Sequence, residues 1–218
     1  SFWTHMPGTD LDPEAISQKT YEFYKKYDFD FVKTMNNGMY AIEDFGCTVD
    51  YSEIVKGGVA KVVSTPISCA ADWRKLTVCP CTQGSNAREL RHLQLVLEKL
   101  KGEEVPVIFT AFTPITIADK ISGGKLISYI EEGHGDDVKA ALEVITETTA
   151  QLVAAAIDMG ADGIFLASQM SSYDKCTDRQ YLEYGKPYDV RVLNLVNLEQ
   201  SDGYNPFRYL RDEKDVLK

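Results

Sequence analysis

The sequence predicts an α/β fold of the (β/α)8 TIM-barrel type, incomplete and comprising the N-terminal part of the barrel. Three observations predict it. Residues 136–169 read as a long amphipathic helix that turns at Gly160 and enters a short apolar strand. Residues 105–111 followed by 114–118 give a strand, a short turn and a helix start, the same unit again. Strand and helix in alternation specify a parallel sheet wrapped by helices. No glycine-rich phosphate loop of the Rossmann or P-loop type is present, which favours a barrel over an open doubly wound sheet.

Each element has a local reason. Asp12-Pro13-Glu14 is a helix start, with a capping carboxylate, proline at the first helical position and an acid behind it. Ile16, Thr20, Phe23, Tyr24 and Tyr27 then line one face. Residues 29–35 form a candidate strand, ended by the turn signal Asn36-Asn37-Gly38. Residues 39–81 show no clear period; Gly57-Gly58 breaks them, and residues 59–63 read as a short extended piece. Residues 87–100 are helical, apolar at Leu90, Leu93, Leu97 and Leu100.

The long helix carries Val138, Ala141, Leu142, Ile145, Thr149, Leu152, Ala156 and Met159 on one stripe, with Asp136 and Asp137 at its N-terminus. Gly160 supplies the left-handed cap, and residues 163–167 then form a strand apolar on both faces. His134, between two glycines, marks a loop before this helix, and Asp162 is expected to bond backbone at the strand entrance. Thr177-Asp178 caps a short helix through Tyr184; Gly185-Lys186-Pro187 interrupts it, and residues 188–197 are helical again. About four or five strands can be counted, against eight in a complete barrel of about 250 residues. The expected organisation is a partial barrel over residues 1–197 and a divergent, turn-rich and charged tail over 198–218.

At 218 residues the chain is long enough for one domain with a sizeable core. A formal net charge of −10 argues against a general nucleic-acid or anionic-membrane surface. No apolar stretch approaches the roughly 20 residues needed to span a bilayer, and Ser1-Phe2-Trp3 lacks the charged leader of a secretory signal. The expectation is therefore a small-molecule partner, without nucleic acid or membrane. Five cysteines at irregular spacing form no disulfide framework, so a reducing cytoplasm is the expected setting. Cys79 and Cys81 are the only close pair, with His92 the only histidine nearby in sequence, and they read as incidental loop cysteines, with no metal set assigned.

In parallel α/β folds chemistry collects at the C-terminal ends of strands, which makes 110–113 and 167–172 the informative positions. Thr110, Thr113, Gln169 and Ser172 are the hydrogen-bonding side chains there. His5 ends an expected first strand, where it serves either substrate contact and proton transfer or a structural polar contact. Glu43 and Asp44 are adjacent carboxylates, candidates for general acid–base work or a solvated loop. Tyr40 and Phe45 offer flat faces for stacking or for core packing.

Residues 27–33, 105–108, 113–118, 159–165 and 184–189, in this order and spacing, resemble the uroporphyrinogen decarboxylase superfamily, which includes methyltransferases handling corrinoid-bound methyl groups. The resemblance covers about residues 2–197 and implies a (β/α)8 barrel whose rim takes a tetrapyrrole or a methyl-transfer substrate. It implies a lyase or a methyltransferase, a methyl donor or acceptor as partner, and zinc or a corrinoid if the other barrel half is of the methyltransferase type. No cofactor is evident from these residues themselves. The decarboxylase binds substrate carboxylates with an arginine-rich loop; here residues 3–10 contain no arginine. The family's aspartate falls near Asn36 or Asn37, its tyrosine at Lys120 and its serine near Gln169. Decarboxylation requires fixed cations and a stabilising acid, so the decarboxylase residues are not retained. The competing expectations are a non-catalytic binding module and an inactive truncated product, and pairing of exposed strand edges implies a possible homodimer.

Overall fold

A computed structural model of the chain describes residues 4–196; the 198–218 tail, Asn197 and the expected strand start at Phe2-Trp3 lie outside the described residues. In chain order the elements are α1 (Pro13–Tyr27), β1 (Val32–Lys33), α2 (Tyr40–Glu43), β2 (Thr48–Asp50), β3 (Lys61–Ser64) and α3 (Gly84–Lys99). There follow β4 (Val107–Phe112), α4 (Pro114–Ile121), α5 (Leu126–Tyr129), α6 (Gly135–Asp158), β5 (Gly163–Ala167), α7 (Asp178–Tyr184) and α8 (Lys186–Val196).

β1, β4 and β5 form a parallel sheet in the order β1-β4-β5. Val32 pairs with Val107 and Lys33 with Ile108, while Ile108 to Phe112 pair in register with Gly163 to Ala167. All three strands therefore point their C-terminal ends the same way. This is a partial barrel wall, and its outer face packs on helices. Val32, Val107, Phe109, Ala111 and Ile164 share a core with Tyr24 of α1, Leu93 and Val96 of α3, Leu152 and Val153 of α6 and Val192 of α8. The pleat sends Lys33, Thr110 and Phe165 to the opposite, interior face. Residues 163–167 are thus apolar on both sides but buried on one: Ile164 is 2% exposed and Phe165 43%. The Lys33 ammonium lies 4.5 Å above the Phe165 ring, and burial pushes its pKa down to about 8.

Local signals act as expected at several termini. Asp12 Oδ1 accepts from the Glu14 and Ala15 amides, with Pro13 opening α1. Thr177 and Gln180 form a reciprocal capping box on α7. Gly160 takes φ 110° after α6, and the Val107 amide donates to Asp162 Oδ2 at 2.7 Å. Met159 is a correction: it falls at the α6 C-cap and is 37% exposed, outside the buried stripe. Tyr27, at the end of α1, is likewise 50% exposed. The strand expected over 29–35 contracts to Val32–Lys33, because only there does β4 offer ladder partners.

Residues 39–81 hold structure that the sequence period did not show. β2 and β3 form an antiparallel ribbon, followed by a 3-10 helix at Ala70–Lys75. Fully buried Trp73 joins Ile115, Ile121, Leu126, Val138 and Leu142 in a second core on α4 and the first half of α6. The loop expected around His134 is a π-helical turn, Ile130–His134, with Gly133 at φ 93°. Leu126–Asp158 is long and apolar enough in composition to cross a membrane. Its stripe fills both cores, as in the central helix of a globular domain.

Candidate functional site

The parallel register places residues 34–38, 112–113 and 167–169 along one rim. Two threonines fasten its strands. Thr110 Oγ1 donates to the Thr34 carbonyl at 2.9 Å, and the Thr110 amide donates to Thr34 Oγ1 at 3.0 Å. On the other side the Thr113 amide donates to the Ala167 carbonyl at 3.0 Å, Thr113 Oγ1 lies 2.7 Å from Thr116 Oγ1, and Thr116 Oγ1 accepts from the Gln169 amide at 2.9 Å. Thr110 and Thr113 thus hold the rim together through buried hydroxyls. Gln169 itself is exposed on it.

The polar groups converge where β1 ends. Asn36 Oδ1 accepts from Thr34 Oγ1, and Asn37 Oδ1 accepts from the Met39 amide at 2.8 Å and the Tyr51 hydroxyl at 3.1 Å. Both asparagines are buried, at 6% and 2% exposure. Lys120 Nζ donates to the Gly38 carbonyl at 3.2 Å and stands 4.5 Å over the Phe112 ring. Burial lowers its pKa, with Asp119 opposing. His5 lies beside Gly38: a Cβ at Gly38 would be 3.9 Å from His5 Cε1. His5, Asn36, Asn37 and Lys120 therefore gather at one corner. Ser172 stands apart, in the exposed loop after β5, bonded to Asp174 Oδ1 at 2.5 Å.

The carboxylates have structural partners. Asp44 accepts from the Ser85 amide at 2.8 Å and the Asn86 amide at 2.9 Å, capping α3 from outside the helix. Glu43 accepts from the Tyr51 hydroxyl and pairs with Arg88 Nη2 at 3.0 Å. Arg88 also pairs with Glu89 at 3.2 Å, a side chain only 1% exposed. Tyr40 is fully buried, donating its hydroxyl to the Thr110 carbonyl at 3.0 Å with its ring 5.8 Å from Phe112. Phe45 packs in the second core.

Sequence reasoning passed over Asp10, Tyr51 and Arg88, which support this corner. The Asn37 side chain lies near enough to Asp10 to favour its charged form, the Tyr51 hydroxyl links Asn37 to Glu43, and Arg88 pairs with Glu43. Burial raises the Asp10 pKa, opposed by its own backbone amide, by Asn37 and by the charges of His5 and Arg88. Asp10, two residues before the helix cap, gave the only available signal. Tyr51 and Arg88 reach the site from elements without a motif.

Two clefts lie elsewhere. One of about 180 Å³ is lined by Asp44, Phe45, Leu76 and Cys79. Another of about 490 Å³, lined by Leu97, Leu100, Val105 and Asp162, lies at the N-terminal end of the strands, opposite the rim. The five cysteines are all unpaired, and burial pushes the Cys47 and Cys79 thiols up to about 11. Among the described residues no group of three or more histidine, cysteine, aspartate or glutamate side chains is arranged to hold a metal ion. The zinc site implied by the methyltransferase resemblance does not fit these residues.

Comparison with known proteins places this architecture. A methyltransferase structure from Methanosarcina mazei superposes with a TM-score of 0.76 at 20% identity, over 88% of this chain and 56% of that one. The methylcobamide:CoM methyltransferase MtbA of Methanosarcina mazei is 22% identical over 90% of the chain and 56% of its own length. The Methanosarcina acetivorans MtbA is 21% identical over 88% and 56%. The chain thus spans about half the length of the curated relatives it matches. The family model for uroporphyrinogen decarboxylase (URO-D) matches residues 4–202. With its partial parallel barrel and its rim at the strand C-termini, the chain belongs to the uroporphyrinogen decarboxylase (URO-D) family.

Proposed function

We propose that the chain acts in corrinoid-linked methyl transfer, its strand rim receiving a small methyl donor or acceptor, and that it does not decarboxylate uroporphyrinogen. One observation carries the reading. The corner built from His5, Asn36, Asn37 and Lys120 offers buried amides and a single lysine that is itself tied to the Gly38 carbonyl. A porphyrinogen carrying many carboxylates requires an array of fixed cations, and residues 4–10 supply no arginine to it. The names of the curated relatives support methyl transfer over decarboxylation.

In this reading Asn36 and Asn37 orient the bound group by hydrogen bonds, Lys120 fixes the Gly38 turn, and Gln169 contacts the ligand from the β5 side. Glu43 acts through Tyr51 on Asn37 as a positioning residue. His5 is the one imidazole at the corner and the candidate for proton transfer. Zinc, where the family uses it, would come from residues other than those described, and no step is assigned to it. A cytoplasmic setting belongs to the same reading, supported by the unpaired cysteines. A homodimer that pairs the edge strands β1 and β5 is a further part of it, open to sedimentation.

The binding-module alternative draws on a separate observation: Glu43 and Asp44 are both engaged in structural contacts. Incubating the chain with methylcobalamin and a thiol separates the two. Thioether formed faster than in the thiol-only control supports methyl transfer. Saturable methylcobalamin binding without turnover supports the module, and no binding overturns both.

A further inference from the structure

Asp189 takes no part in the rim corner, yet its carboxyl is buried at the junction of α7 and α8. The residue is 5% exposed and lies in the first turn of α8. Its Oδ2 accepts from the Tyr181 hydroxyl of α7 at 2.8 Å, and its Oδ1 is buried with no hydrogen-bond partner among the described residues. The charged groups of the elements packed around it are engaged elsewhere. Lys139 and Glu143 of α6 pair with Glu183 and Arg191, and Lys120 of α4 donates to the Gly38 carbonyl. Lys175 and Lys120 favour the charge on Asp119. Cys176 acts on Tyr181, while Tyr184 and Tyr188 turn into the second core. At Asp189 only the Tyr181 hydrogen bond opposes burial, which pushes the carboxyl up to about 6. A charge buried there without a cation is costly, so the carboxyl packs well only with its proton on.

The Tyr181 bond holds more than one side chain. At seven residues α7 is too short to persist without tertiary packing. Tyr181 and Tyr184 seat it on the second core. Its other ties, Lys139–Glu183 at 2.6 Å and Gln180–Glu131 at 3.3 Å, lie at the surface, where such pairs contribute little. The loop before α7 is anchored in the same core by Met170, whose carbonyl accepts from Cys176 Sγ at 2.9 Å and which directly follows Gln169 of the rim. We propose that Asp189 is a proton-operated latch: protonated, it docks α7 and the loop that starts at Gln169, and ionised, it lets them open locally. Acid thus stiffens the β5 side of the rim and neutral pH loosens it, whatever the rim binds.

Hydrogen exchange of the whole chain, corrected for the intrinsic effect of pH on amide exchange, reads this opening at residues 170–184. The docked carboxyl titrates near about 6 and an open one near about 3.9. The opening equilibrium therefore rises about twentyfold between pH 4.5 and pH 7 and is nearly level above that. At pH 7 these amides exchange faster than those of α3. Asp189→Asn, which cannot ionise, stays level within about twofold over the same range. Tyr181→Phe removes the one bond that favours the charged form, so its rise continues above pH 7, where the parent has levelled. Damaged folding alone raises exchange at every pH and does not move that midpoint. A level profile in the parent, an equal rise in Asp189→Asn, an unmoved midpoint in Tyr181→Phe, or exchange of residues 170–184 only in step with α3 overturns the latch.

Discussion

Replacing Asp44 by alanine removes the carboxylate that receives the Ser85 and Asn86 amides at 2.8 and 2.9 Å, at the head of α3. The carboxylate fits there because Gly84, at φ +66°, has no side chain: a Cβ would lie 2.1 Å from Asp44 Oδ1. Loss of a helix cap costs typically about 1 kcal/mol and up to about 2. Hydrogen bonds to a charged acceptor run higher, about 1.5–3 kcal/mol each where water does not compete. For a half-buried pair at a helix N-terminus we take about 2 kcal/mol. That is roughly a 30-fold change in the folding equilibrium, and a Tm lower by about 4–8 °C for a chain of this size. Asp44→Asn keeps one acceptor oxygen and loses about half as much. Urea unfolding followed by circular dichroism measures both, with an unchanged denaturant slope as the sign that only stability moved. Should Asp44→Ala unfold at the parent's urea concentration yet lose methylcobalamin binding, the carboxylate belongs to the chemistry and the capping argument is refuted.

Three further outcomes follow from the same contacts. Arg88→Ala leaves Glu43 and nearly inaccessible Glu89 without their cation and destabilises by about 3 kcal/mol; a Tm within about 2 °C of the parent contradicts this. Burial pushes the Asp189 carboxyl up to about 6, with the Tyr181 hydroxyl donating to it at 2.8 Å. An unfolded aspartate titrates near about 3.9, so the folded chain holds this proton more tightly. Its stabilising contribution is complete below about pH 4 and is lost as pH rises through about 6. Asp189→Asn therefore gains urea resistance over the parent at pH 8 relative to pH 4, and a pH-independent difference counts against it. Finally, a thiol reagent labels exposed Cys69 first and Cys81 next, while Cys47, Cys79 and Cys176 react only on unfolding; early labelling of Cys47 shows the second core to be wrongly drawn.

What the sequence made legible was local. The stripe from Val138 to Ala156, the Asp12-Pro13 and Thr177 caps, and the apolar runs of β4 and β5 each carry their own period or capping chemistry. From these the parallel sheet and its common rim followed, and Asn36, Thr110, Thr113 and Gln169 do lie along it. The β2–β3 ribbon was not legible. Its strands are three and four residues long, and every β3 residue is exposed, so no alternation marks the register. The burial of Trp73 was equally hidden, since its neighbours come from α4, α5 and α6 and not from its own helix. At the site, sequence adjacency misled: Glu43 and Asp44 look like a pair, yet they turn to different helix partners, Arg88 and the α3 N-terminus. Asp10 and Asn37 look unrelated, yet the fold brings the Asn37 side chain near enough to favour the charged form of Asp10.

The central claim is that ligand binds at the strand C-termini, and backbone amide shifts on titration with methylcobalamin test it most directly. The account predicts perturbations at Asn36, Asn37, Gly38, Thr113 and Gln169. Shifts confined to Leu100, Lys101, Gly102 and Asp162, around the 490 Å³ cleft at the other end of the strands, would contradict it.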